Sequence, residues 1–427
     1  MRRAAWWRAA GGALVTAGAL AAAAGVLDAC GEPPPQAEAE WAFGPPQVVW
    51  LRSDGTVRDA FLVDVGAGRA YVAITAAGPD GRDTLFFIER MGLQWSAPVF
   101  QVRPAGVTRE TVQWVTHDPA PTVLTVAEGP AGSAVYLRRR VADEWGPAEP
   151  VTQLGLERVG VARAALGGVE PDGSRRIHVV YSDATVRGGA CPEGVTLRHR
   201  VRTMGGWSQS RIVAQPCAVT SMALAAGESA SDPLMVVFAG VAATPTPGST
   251  QAVYGVPAFR GVPAEFQQPF RVVGGRNADV QVVAQPQGRF VATWRYTGLE
   301  EGGQGRAAVT VYEPTTQLWE VPNLGWFFTA PAPFPTALRG GGVVALGGEM
   351  DTPGGRLSAW RWGSPATPVV SRSAVAVPTG SPASLRLVPF ADGSLQALWV
   401  ESLSGTGLQR VMWVSGLPRG LAPDAGR

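Results

Sequence analysis

Lysine is absent from the 427 residues, so every one of the 36 basic side chains is an arginine. That absence removes the P-loop lysine, Schiff-base chemistry and the Ser-x-x-Lys nucleophile pair. Histidine is nearly as scarce, with only His117, His178 and His199. No HExxH, GxSxG or EF-hand series occurs, and Gly340-Gly341-Gly342 is not followed by the helix-forming segment that a phosphate-cradling loop requires. Basic runs are short, as in Arg138-Arg139-Arg140, which reads as a solvated strand end. Because 34 acidic residues balance the arginines, the composition argues against a nucleic-acid partner.

The remaining candidates for chemistry read as structural. His178 and His199 fall on adjacent expected strands, but two imidazoles without a third ligand make a poor zinc site. His117-Asp118 precedes a proline in a turn, where backbone hydrogen bonds account for it. Glu300-Glu301 and Asp143-Glu144 read as solvated turns, and Asp80-Gly81-Arg82-Asp83 as a hairpin turn. No catalytic residue, metal or cofactor is expected from these patterns.

What the chain has in abundance is punctuation. Its 54 glycines and 36 prolines are spread between short apolar runs, as many tight turns require, which favours strands over long helices. The dominance of Ala, Gly, Pro, Val and Arg matches the codon bias of a GC-rich genome.

The N-terminus reads as an address. Arg2, Arg3 and Arg8 precede an uncharged stretch from Ala9 to Leu27 that ends at Leu27-Asp28-Ala29-Cys30. A positive start, an apolar centre and a small residue before the break make an export signal over residues 1–30. Leu27, Ala29 and Cys30 resemble a bacterial lipobox, with Asp28 departing from it. The resemblance implies that Cys30 becomes a lipidated N-terminus and that the membrane is a partner through that lipid. An uncleaved anchor and cleavage by an ordinary signal peptidase are the alternatives. Residues 31–45, with Pro33, Pro34 and Pro35, read as an extended tether. The expected location is extracytoplasmic, at the bacterial cell membrane or outer membrane. The two remaining cysteines, Cys191 and Cys217, form an even pair in a disulfide-permissive compartment, with two buried thiols as the alternative.

The body, residues 46–416, carries a repeat with a fixed internal ruler. Leu85 to Trp95, Val135 to Trp145, Leu197 to Trp207 and Val309 to Trp319 are each ten residues apart, and Val253 to Phe266 is a longer variant. Each interval reads as two strands joined by a polar turn, with two more apolar runs upstream. Four strands per unit, recurring about every 50 to 60 residues, is the signature of β-propeller blades. Third-strand starts near Leu85, Val135, Leu197, Val253, Val309, Leu357 and Leu408 predict seven blades; six, eight and a β-sandwich are the alternatives. The last unit lacks a fourth strand, and residues 47–53 are expected to supply it and close the ring. Residues 417–427 read as a disordered tail. In the third blade, paired residues of the third and fourth strands should have numbers summing to about 409, which places Cys191 nearly opposite Cys217 and predicts a bridge between them.

The strand and aromatic pattern loosely resembles sialidase-like propellers over most of the body. The family's Asp-box turn, arginine triad and tyrosine nucleophile find no match, Ser53-Asp54-Gly55 being the nearest string, so its activity is not implied. With catalytic motifs lacking, the expected role is a non-catalytic binding or scaffolding module for a protein or glycan. The alternative is an extracellular polysaccharide hydrolase with its site in the propeller funnel. The longest loops between second and third strands, residues 182–193, 240–250 and 297–305, would raise one rim of a binding face.

Overall fold

A computed structural model describes residues 40–419, apart from 54, 67–68, 78–82, 93, 101–108, 116–121, 130–131, 142–143, 153–157, 185–190, 192–193, 230, 242–250, 298–305, 327, 330–334, 339–341, 350–355, 363–370 and 391. Cys30, His117 and most of the three long loops therefore lie outside the described residues.

The chain forms a seven-bladed propeller of antiparallel sheets. The third strands are Asp83–Met91, Gly132–Val141, Val195–Thr203, Ala252–Gly261, Arg306–Glu313, Arg356–Trp362 and Gln409–Pro418, each containing or adjoining its expected start. The outer position of a blade is divided between two short segments, as in Gln94–Trp95 and Val99–Phe100 of the first blade. In the sixth blade it is the inner position that is divided, between Phe328–Thr329 and Thr336–Ala337.

Closure follows the expected route and reaches beyond it. Gln47–Arg52 pairs with Gln409–Pro418 as the missing outer strand of the seventh blade. Trp41–Phe43, in the stretch read as tether, pairs with the far end of the same strand, Trp41 opposite Pro418. The body thus includes Glu40, paired with Arg361 at 2.7 Å, and Trp41, which is buried in a core cluster with Leu387 and Met412. Leu417 and Pro418 likewise belong to a strand and not to a tail. Closing the ring in this way satisfies the backbone edge that an incomplete blade would expose.

The ruler has a packing cause. The residue paired with each aromatic, such as Arg90 with Trp95 or Arg202 with Trp207, lies three positions past the one on which the next blade's aromatic rests. Trp145 packs on Phe87 at 4.8 Å, Phe266 meets His199 edge-on at 5.3 Å, and Trp95 meets Trp413 at 5.5 Å. At the junction of blades four and five that position is Gly255, where a Cβ would lie 2.5 Å from the Trp319 ring. Each aromatic is therefore a wedge seated on the preceding blade, and at Trp319 a glycine makes room for it. Arg140, expected at a solvated strand end, instead places its guanidinium 4.9 Å from the Tyr71 ring and 5.6 Å from Phe87.

Candidate functional site

Innermost strands of a propeller face one another across the channel, and here several are bulged at corresponding heights. The register slips between Val57 and Asp59 in blade one, Val159 and Ala162 in blade three, and Ala383 and Arg386 in blade seven. A bulge inserts an extra residue and re-aims the side chains beside it. Ser384, within the last bulge, takes a left-handed φ of 50°. Its hydroxyl donates to Asp59 of the neighbouring blade and accepts the amide of Ala60 at 3.0 Å.

Asp59 and Arg386, from adjacent blades one and seven, pair as a result, and Arg163 of blade three lies within reach of their charges. Arg386 grips both oxygens of Asp59 at 3.0 Å and lies 4.4 Å from the Phe61 ring. Arg163 faces the same pair and feels both charges: burial lowers its pKa, Asp59 raises it and Arg386 lowers it. Its guanidinium has one hydrogen bond among the described residues, to the carbonyl of adjacent Ala162 at 2.8 Å. A guanidinium stays protonated under any ordinary condition. Two cations around one already-engaged carboxylate leave a positive centre, so the arrangement suits an incoming anion that presents two oxygens to the Arg163 fork.

A second polar cluster runs between blades three and four. His178 and His199 sit on paired strands, as expected, and His199 Nε2 lies 3.1 Å from His178 Nδ1. The third member is Asp232, delivered by the turn of the next blade, with its carboxylate 3.1 Å from His178 Nε2. Asp232 also accepts from the Gly168 amide and is paired with Arg176 at 2.9 Å, which in turn contacts Glu170 at 2.6 Å. In a neutral His178 that donates from Nε2 to this carboxylate, Nδ1 is the acceptor for His199 Nε2. Asp232 and both rings are buried, and a Cβ at Gly167 would lie 2.6 Å from His178. Burial, followed by His178 and Arg211, holds His199 well below the ordinary imidazole range. The contacts form a line through opposite ring nitrogens with no shared centre, so this is a structural relay. Among the described residues no cluster with metal-ligand character occurs.

Cys191 and Cys217 are joined, with Cα atoms 5.1 Å apart. Pairing starts at Arg202 with Trp207 and Thr203 with Gly206, both summing to 409, and slips through a bulge to Leu197 with Ala214. The bridge then ties the loop after the second strand to the crossing into blade four. The neighbouring Cys217 amide donates to Val241 O at 2.9 Å.

No protein-family model and no curated protein matches the chain. Solved structures do match it. An ulvan lyase of polysaccharide lyase family PL25, bound to a GlcA–Rha3S chain, aligns with a TM-score of 0.53 at 11% identity, over 88% of this chain and 94% of its own. Polysaccharide lyase Uly1 aligns at 0.51 and 10% identity, over 91% and 93%. A protein of unknown function from Dyadobacter fermentans aligns at 0.50 and 12% identity, over 89% and 100%. At these identities the likeness shows the shared propeller fold.

Proposed function

We propose that this protein is a polysaccharide-degrading enzyme displayed at the bacterial envelope, and that its channel takes an acidic sugar residue. The observation that carries the reading is the Asp59–Arg386 pair between adjacent blades one and seven, with Arg163 of blade three close enough to feel both charges. Arg386 is committed to Asp59, so Arg163 is the group that receives a substrate carboxylate or sulfate as a two-pronged pair. Neutralising a uronate carboxylate acidifies the adjacent carbon, which is what elimination from such a sugar requires; orientation of the same anion would serve hydrolysis. Two of the full-length fold neighbours are polysaccharide lyases, one of them bound to a chain containing glucuronate. That support favours a degradative role over the non-catalytic one expected from missing motifs. Display at the envelope rests on the signal-like residues 1–30 and on Cys30 as the lipidated position.

The test is a panel of neutral and uronate-containing polysaccharides incubated with purified protein, read for new reducing ends and for the ultraviolet absorbance of unsaturated uronates. Both signals on acidic polymers mark elimination, and reducing ends alone mark hydrolysis. Binding without either signal would return the protein to the class of non-catalytic modules. Activity confined to neutral polymers would contradict the role given to Arg163.

A further inference from the structure

Blade topology sorts the turns onto two faces. The links between first and second strands, and between third and fourth strands, emerge on one face; the bridged Cys191–Cys217 loops emerge on the other. Trp41 lies opposite Pro418, at the end of the last third strand, so the chain from the N-terminus enters the body on the first of these faces.

That face carries apolar side chains where a water-soluble turn has no use for them. At the junction of third and fourth strands, blades one, three, four and five present Met91 at 66% exposure, Met204 at 61%, Val262 at 42% and Leu318 at 53%. Val169 and Leu417 add to the same edge from an inner strand and from the last blade. A single exposed apolar residue is ordinary, but in four blades the same link between third and fourth strands carries one, at the strand end (Met91), within the turn (Met204, Val262) or just after it (Leu318). Neighbouring Arg260, exposed at the same link, can keep its charged head among lipid phosphates while such tips enter the interface.

We propose that this face rests on a lipid bilayer surface, with the channel opening and the disulfide-bearing rim turned outward. The occupant is identified by the chain itself: the residues preceding Trp41 hold an uncharged stretch from Ala9 to Leu27 ending at Cys30, and they join the body at this face. Contact at several tips fixes orientation where a flexible tether alone would allow tumbling. The proposal rests on the envelope reading, and the test keeps the two apart.

A fluorophore is attached to the full chain through Gly205→Cys, at a turn tip, or Ser404→Cys, on the opposite face. Each protein, carrying Cys30→Ser so that the label sits at one position, is mixed with phosphatidylethanolamine–phosphatidylglycerol vesicles whose acyl chains are brominated. Quenching at position 205 without quenching at 404 is expected. Adding Met91→Ser, Met204→Ser, Val262→Ser and Leu318→Ser should abolish the quenching at 205 and reduce vesicle partition of protein lacking lipid by roughly tenfold or more, with the melting temperature unchanged. Equal quenching at both positions, none at 205, or no response to the four substitutions would overturn the proposal, as would a dimer that shields 205 from lipid and from iodide alike. Incorporation of labelled fatty acid into Cys30 tests the anchor separately, since it can fail while the face still binds vesicles.

Discussion

His199 and Asp232 show how one buried contact sets a solution property. His199 takes up a proton near the ordinary imidazole value when unfolded but only well below it when folded. Below about pH 6.5 the unfolded chain binds more protons, so stability is complete at neutral pH and declines as the pH falls through that range. Melting temperatures measured from pH 7.5 down to pH 5 should fall, and His199→Gln should flatten the slope; equal slopes would show that the acid sensitivity lies elsewhere. Asp232→Asn should cost about 1–3 kcal/mol, because it removes one of the two carboxylates that hold Arg176 and the charged acceptor of the Gly168 amide, while Glu170 stays in place. Neither effect could be read from the sequence. The histidine pair was visible in strand register, whereas Asp232 arrives from the next blade, and nothing local in Ser229 to Pro233 points at His178.

At the scale of the element, the wedges explain why the ruler is so regular. It runs from a third-strand residue, round a turn, to the aromatic that is passed to the preceding blade, and in blades one and three it starts two residues before the seats Phe87 and His199. Those signals are local, which is why strand starts and the register sum were legible. Gly255→Val forces a side chain into the Trp319 ring and should lower stability by about 1–3 kcal/mol. Combining it with Trp319→Ala should cost less than the two singles together, and strict additivity in the thermal melts would refute the contact. The channel charges were harder to see. Arg163 and Arg386 each stand as a lone charge in a run of small or apolar residues, in VARAAL and SLRLV, and Asp59 follows Arg58 in VRDAF. That was an available signal, but it gains meaning only once seven inner strands share one axis. Breaking the bridge with Cys191→Ser and Cys217→Ser should remove about 3–4 kcal/mol for a closed loop of 26 residues. Unchanged melting on reduction would show that the loop ends are held by the Cys217–Val241 hydrogen bond and its neighbours instead.

For the whole molecule, ring closure couples residues more than 360 positions apart in the chain, as Gln47 and Trp413 are paired neighbours. Removing residues 41–52 strips the outer strand from the last blade and uncovers the edge of Gln409–Pro418; the protein should lose its cooperative transition or oligomerise, and a monomer with native melting would exclude closure as a source of stability. The same closure assembles the channel, since blade seven supplies Arg386 to blade one's Asp59. The account of function stands on that assembled point, and Arg163 can be altered there without touching the Asp59–Arg386 pair. The most direct measurement compares wild type with Arg163→Gln on uronate-containing polysaccharide, following product release and melting temperature together. The expected result is a fall in turnover of about a hundredfold or more at unchanged stability; equal turnover by the two proteins would contradict an anion-binding channel.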